Sequence, residues 1–135
     1  MSKQIKHLEL LQGIINRMAH CSFLLKGWSV VLVAGIFALA ARDVSSSIAA
    51  LAFFPVLVFW ALDAYYLMLE RHYRRIYDRV RSTNEASVDF SMDTAAVAKS
   101  KDWPSALVSP TLLCFHGAII LTVALVWCLL ILGAD

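Results

Sequence analysis

One carboxylate stands where hydrocarbon is expected. Asp63 sits inside the apolar run FFPVLVFWALDAYYLML. An isolated carboxylate in a bilayer core costs at least ~2.5 kcal/mol on insertion scales, so it demands a partner or a water-filled cavity. Two other apolar runs offer partners at a similar depth. Lys26 lies about one turn inside the first, and His116 near the start of the third. Lys26 is the expected ion-pair partner, and Tyr65, Tyr66 or His116 can supply hydrogen bonds. Lys26, Asp63 and His116 together predict an intramembrane polar belt. It either fastens three helices in register or lines a conduction path, and both readings stand. For Lys26 alone, snorkelling to the headgroups beside a Trp28 interface anchor is the plainer reading.

A second group of charges follows Asp63 on the same predicted helix. Leu69, Tyr73, Ile76, Tyr77 and Val80 form an apolar side. Arg71, Arg74, Arg75 and Arg79 line the opposite side, with Arg81 at its edge and Asp78 interrupting it. Positive-inside charge and contacts to anionic lipid explain part of this. The arginines exceed what topology needs, and their planar fork suits phosphate. They are candidates for an anion or oligonucleotide site, joined by Lys99 and Lys101. In a symmetric oligomer such a face would repeat around an axis and concentrate positive potential at one mouth.

The elements that must position these residues are membrane spans. The chain of 135 residues is 60% hydrophobic and 16% charged, more apolar and less charged than soluble domains. The excess falls in three runs, residues 22–41, 48–69 and 111–132. Each is long enough to cross a core of about 30 Å. The expected fold is an all-α membrane protein with an N-terminal amphipathic helix over residues 1–21, three transmembrane helices, and a second span that continues into a basic helix. Residues 70–110 form that helix and a loop. Lys3, Lys6, Arg17 and Lys26 precede or open the first span, and the arginine group precedes the third. Only Arg42 lies between the first two. The positive-inside rule then places the N-terminus and residues 70–110 in the cytoplasm and the C-terminus outside. With Asp135 close behind the third run, no outer domain is expected. Ala38-Leu39-Ala40 resembles a signal-peptide cleavage site. The run before it is too long for an h-region, however, and it follows a patterned helix.

Within residues 3–21, Leu8, Leu11, Ile15 and Met18 follow the spacing of a helix-packing seam. Lys6, Glu9, Gln12, Asn16, Arg17 and His20 take the other side. The seam can lie on lipid, pack on its own chain, or bundle with other copies as an oligomerisation face. Packing is preferred over lipid, because so short a chain has little else to bury it. Ser45, Ser46 and Ser47 offer a cap for the second span, and Pro55 predicts a kink. Val88, Phe90 and Met92 alternate with polar residues, as in an extended segment docked on a helix. Asp93 or Thr94 can cap a short helix ending near Ala98. Trp103 before Pro104, and Trp127 in the third span, read as interface anchors. Cys21, Cys114 and Cys128 lack metal-ligand spacing and read as small apolar residues. No catalytic constellation, phosphate loop, metal motif or cofactor motif is present, so an enzyme is not expected.

Four stretches together resemble a known family: HLELLQGIINRMA, SFLLKGWSVVLVAGIFALAA, FFPVLVFWALDAYYLMLERHYRRIYDRVR and VDFSM. Their order and spacing are similar to the small bacterial membrane effectors of the Hailong anti-phage defence system. The similarity covers nearly the whole chain, and the LLKGW junction and the LDAYY…ER…R…YD run are its most specific parts. The resemblance implies an oligomeric, ligand-gated ion channel in the bacterial inner membrane, with a tetramer the first assembly to consider. It implies a partner nucleotidyltransferase whose short single-stranded DNA oligomers hold the channel closed. Opening would depolarise the membrane. The alternative is a non-conducting membrane scaffold that assembles partners through its amphipathic helices. The candidate residues above rest on charge and depth, not on the resemblance.

Overall fold

A computed structural model of the chain describes residues 2–133. The first helix, α1, runs without interruption over Lys3–Asp43. The amphipathic segment and the first span are therefore one rod of about 60 Å, twice a hydrocarbon core. No proline or glycine lies between Met18 and Lys26 to break it. Ser2 caps its start, its Oγ accepting from the Ile5 N–H at 3.2 Å. At its end Val44 takes a left-handed conformation (φ 48°) and turns the chain back. Ser45 then caps α2, Ser46–Ala50, through the Ile48 N–H.

The next helix, α3, covers Phe53–Arg81 and runs antiparallel to α1. The kink expected at Pro55 is a break. The proline lies in the first turn of α3, where a missing N–H is tolerated. Before it, the Leu51 and Ala52 amides bond three residues back, each at 3.1 Å, and end α2. A short helix α4, Asp102–Leu107, and a long one, α5, Pro110–Leu132, complete the chain. Lys3–Asp43, Ser46–Arg81 and Pro110–Leu132 are long and apolar enough to cross a membrane, the arrangement of a multi-pass membrane protein.

Three apolar clusters stack along α3. At the end bearing the arginines, here the basic end, Leu11 packs with Ile76, Val80 and Val97. In the middle Ala64, Ala106 and Leu112 meet under Trp60 and Leu107. At the far end Val33, Ala52, Val56 and Val123 close the bundle. The seam of α1 faces its own chain. Leu11 and Ile15 are buried and Leu8 and Met18 half-buried, while Lys6, Glu9, Gln12, Asn16, Arg17 and His20 are exposed. Leu8, Leu11, Ile15 and Met18 are thus covered mainly within the chain, not offered as a whole to other copies. The long extension of α3 is what reaches them.

The segment between α3 and α4 departs from its expected form. Of the alternating residues only Met92 joins the basic-end cluster. Phe90 takes φ 57°, and its ring lies 5.3 Å from His7. Asp93 does cap, accepting from the Ala95 N–H at 2.9 Å, but it caps a single turn at Thr94 instead of a helix. The unexpected α4 accommodates Pro104 in its first turn. It is tied to α3 by Trp60 Nε1–H donating to the Leu107 carbonyl at 3.1 Å and by Trp103 donating to Ala61 at 3.3 Å. Asp135 lies outside the described residues.

Candidate functional site

The three residues of the predicted belt meet. Asp63 is fully buried. Lys26 Nζ lies 2.6 Å from its Oδ2, and His116 Nε2 lies 2.8 Å from the same oxygen. The spacing of α1 adds Ser22, one turn before Lys26. Its hydroxyl donates to Asp63 Oδ1 and accepts from Lys26 Nζ at 2.9 Å. Asp63 therefore receives a donor from α1 on each oxygen and a further one from α5. Trp60 stacks on the His116 ring at 6.1 Å, and Phe115 sits edge-on to it at 5.1 Å. These rings exclude water from one side, where a Coulomb attraction is strong but desolvation offsets much of it.

Two polar atoms beside this cluster have no partner among the described residues. They are His116 Nδ1 and Ser29 Oγ, both buried. A buried polar group left unpaired costs about 1–3 kcal/mol, so folds rarely keep one without a role. Towards the basic end the cluster is open. A cleft of about 430 Å³ between α1, α3 and α5 brings Glu70 and Thr111 beside Ser22 and Lys26. The Lys26 side chain keeps 22% of its surface exposed there.

The chain matches no protein-family model, no curated protein and no solved structure. The site is therefore read from its own geometry.

The arginines divide into two stripes. Arg71, Arg75 and Arg79, spaced by four, are turned onto the chain's own returning segment. Arg75 forms a fork on Asp102, with Nη1 at 2.7 Å from Oδ2 and Nη2 at 2.8 Å from Oδ1, and also donates to the Val97 carbonyl. Arg71 reaches Ser105 and Arg79 reaches the Ala96 carbonyl, both at 3.4 Å. Asp102 further accepts from His72 Nε2 at 2.8 Å and from the Lys99 N–H at 2.7 Å. These bonds, the Arg75 fork first among them, hold its carboxyl well below the usual carboxylate range against the opposing effect of desolvation.

The second stripe stays in solvent. Arg74 pairs with Glu70 and Arg81 with Asp78, and both arginines are more than half exposed. The side chains of Lys99 and Lys101 are exposed as well. Of the five arginines, Arg74, Arg79 and Arg81 keep exposed side chains, while a returning carboxylate covers part of Arg75. Asp102, His72 and Ser22 were missed from sequence. His72 gave a signal, a polar ring between Met68 and Ile76 on the packed side of α3. Asp102 gave none, since its partner lies across a loop of irregular path.

Proposed function

We propose that this chain is the subunit of a homo-oligomeric effector that opens an ion path through the bacterial inner membrane, with the basic end in the cytoplasm and the far end of α5 outside. A short DNA oligomer from a partner nucleotidyltransferase holds it closed, as the family resemblance implies. The observation that carries the reading is the Asp63 cluster. A charged, hydrogen-bonded group inside apolar spans, reached by a cleft from one side, marks a transport path by default. The wide apolar surface left uncovered on the three spans, Phe23 and Leu121 among it, suits packing against further copies as well as lipid. Arg74, Arg79, Arg81, Lys99 and Lys101 supply the exposed charge for a polyanion.

The test is a potential-sensitive dye on vesicles holding the purified protein. A leak that appears without oligonucleotide and falls when it is added supports the reading. Tight vesicles under both conditions overturn it. Oligonucleotide binding should weaken steeply with salt, and Arg74→Glu with Arg81→Glu should weaken it further.

One observation favours the scaffold reading. Asp63 finds all its partners within a single chain, as a fastener would. That reading requires vesicles that stay tight whatever is added.

A further inference from the structure

The cluster is built more specifically than a path for hydrated ions requires. Ser22, Lys26, Asp63 and His116 form one continuous chain of hydrogen bonds through all three spans, and no lumen passes through it, because Asp63 and His116 are wholly buried. His116 presents Nε2 to a carboxylate, so Nε2 carries the hydrogen. In the neutral ring Nδ1 is then a bare lone pair, and it has no donor among the described residues. Ser29, buried and equally unpartnered, lies one turn beyond Lys26 towards the far end on the same face of α1. At the opposite side the cleft with Glu70 and Thr111 reaches Ser22 and Lys26. Beyond Ser29 lies the apolar cluster of Val33, Ala52, Val56 and Val123.

From this geometry we infer that the ion moved is the proton, passed within each protomer through His116 and Asp63, and that the far-end apolar cluster is the barrier. The inference rests on the channel reading. The titratable groups that face one another are Lys26 from α1, Asp63 and Glu70 from α3, and His116 from α5. A proton arriving from the far side binds Nδ1 and gives an imidazolium. The Nε2–H bond then breaks and its proton passes to Asp63 Oδ2, leaving a neutral ring with its hydrogen on Nδ1. Lys26, which lines the cleft while Asp63 does not, gives one of its protons to cleft water and takes the proton from Asp63 Oδ2, restoring the carboxylate and the ammonium. Rotation of the ring then turns the Nδ1–H towards Asp63 and the bare Nε2 towards the far side, so the next proton enters on Nε2 and leaves from Nδ1, and a second rotation restores the starting state. One proton crosses per rotation and no group is consumed. The links of the route, His116 to Asp63 at 2.8 Å and Lys26 to Asp63 at 2.6 Å, leave no space for a dehydrated alkali cation between partners.

The experiment uses full-length protein in vesicles loaded with a pH-sensitive dye, with a potassium gradient and valinomycin as the driving force. Internal pH should shift in the wild type without oligonucleotide. His116→Gln keeps a donor but cannot relay, and should lower the proton flux by roughly a hundredfold. Val56→Ser, outside the hydrogen-bonded chain, should raise it by wetting the barrier, and this keeps the test valid if His116→Gln fails to fold. Potassium or chloride leak with unchanged internal pH overturns the proton assignment and leaves the channel reading standing. So does wild-type proton flux in folded His116→Gln. Vesicles tight to every ion overturn both.

Discussion

Two aspartates in this molecule are held by nearly the same set of groups. Asp63 takes a lysine, a histidine Nε2 at 2.8 Å and a hydroxyl. Asp102 takes an arginine, a histidine Nε2 at 2.8 Å and a backbone amide. The cations differ in shape, and so do the tasks. Arg75 offers a rigid fork that fixes direction, and it clamps a segment that returns to the helix it left. Lys26 offers a compact charge with rotating donors, and it joins two helices that share no local sequence. The first arrangement closes a loop. The second ties the bundle together and leaves an open cleft and two unpartnered atoms beside it. The same recipe therefore gives a clamp where every donor is matched, and a candidate relay where the matching stops short.

Removing Asp63 should have the largest effect. Asp63→Ala strands Lys26 and His116 in an apolar interior and should cost roughly 3–5 kcal/mol of stability. Unfolding in detergent, followed by tryptophan fluorescence, measures it. A loss below about 1 kcal/mol, the range of a solvent-exposed pair, would erase the distinction between the two carboxylates.

Asp102→Asn should act locally. It places an amide donor against Arg75, so residues 82–101 should become sensitive to protease while the spans keep their unfolding midpoint. Unchanged protection of that segment would show that Met92 and Val97 alone hold it.

Acid should reproduce the same release without a mutation. Asp102 titrates below its unfolded value of about 4. Its contribution is therefore complete above that pH and is lost as pH falls further towards its folded value. Hydrogen exchange of residues 94–102 at neutral pH and near pH 3 reads the change. Protection, taken relative to the intrinsic amide rate at each pH, should fall only in acid, and only in chains that carry Asp102.

Arg74→Ala should matter least. Its exposed i, i+4 pair with Glu70 is worth no more than about 0.5 kcal/mol. A larger loss would mean that the second stripe is also clamped.

The difference between the two aspartates also explains what could be read from sequence. A carboxylate in hydrocarbon is anomalous, so Asp63 announced itself, and counting turns from the span ends found Lys26 and His116. Depth along antiparallel helices is a one-dimensional quantity that sequence carries. Asp102 sits in a polar stretch where a carboxylate is ordinary. Its partner on α3 depends on the path of residues 82–101, which turns on a left-handed Phe90 that no periodicity shows. For the same reason Arg75 looked as open as Arg74. A helical projection gives the direction of a side chain and is silent about what the chain later lays across it. The packing seam on α1 was legible for its spacing, while its partner depended on how far α3 reaches.

The basic ends of α1 and α3 also hold each other. Gln4 Nε2–H donates to the Val80, Arg81 and Thr83 carbonyls at 2.9, 3.3 and 2.7 Å, and Glu85 accepts from the Lys3 N–H at 3.0 Å. The Asp63 cluster fixes the same two helices a second time. From Gln4 to Ser22 is about 27 Å along α1, and from Asp63 to Val80 about 26 Å along α3, at 1.5 Å per residue. Two rods pinned at equal intervals behave like a vernier. They can tilt or swing together, but neither can slide past the other without losing one pin. Inserting one residue between the pins of α1 alone would rotate one set of partners by about 100°, so indels in this stretch should be tolerated only when α3 changes in step.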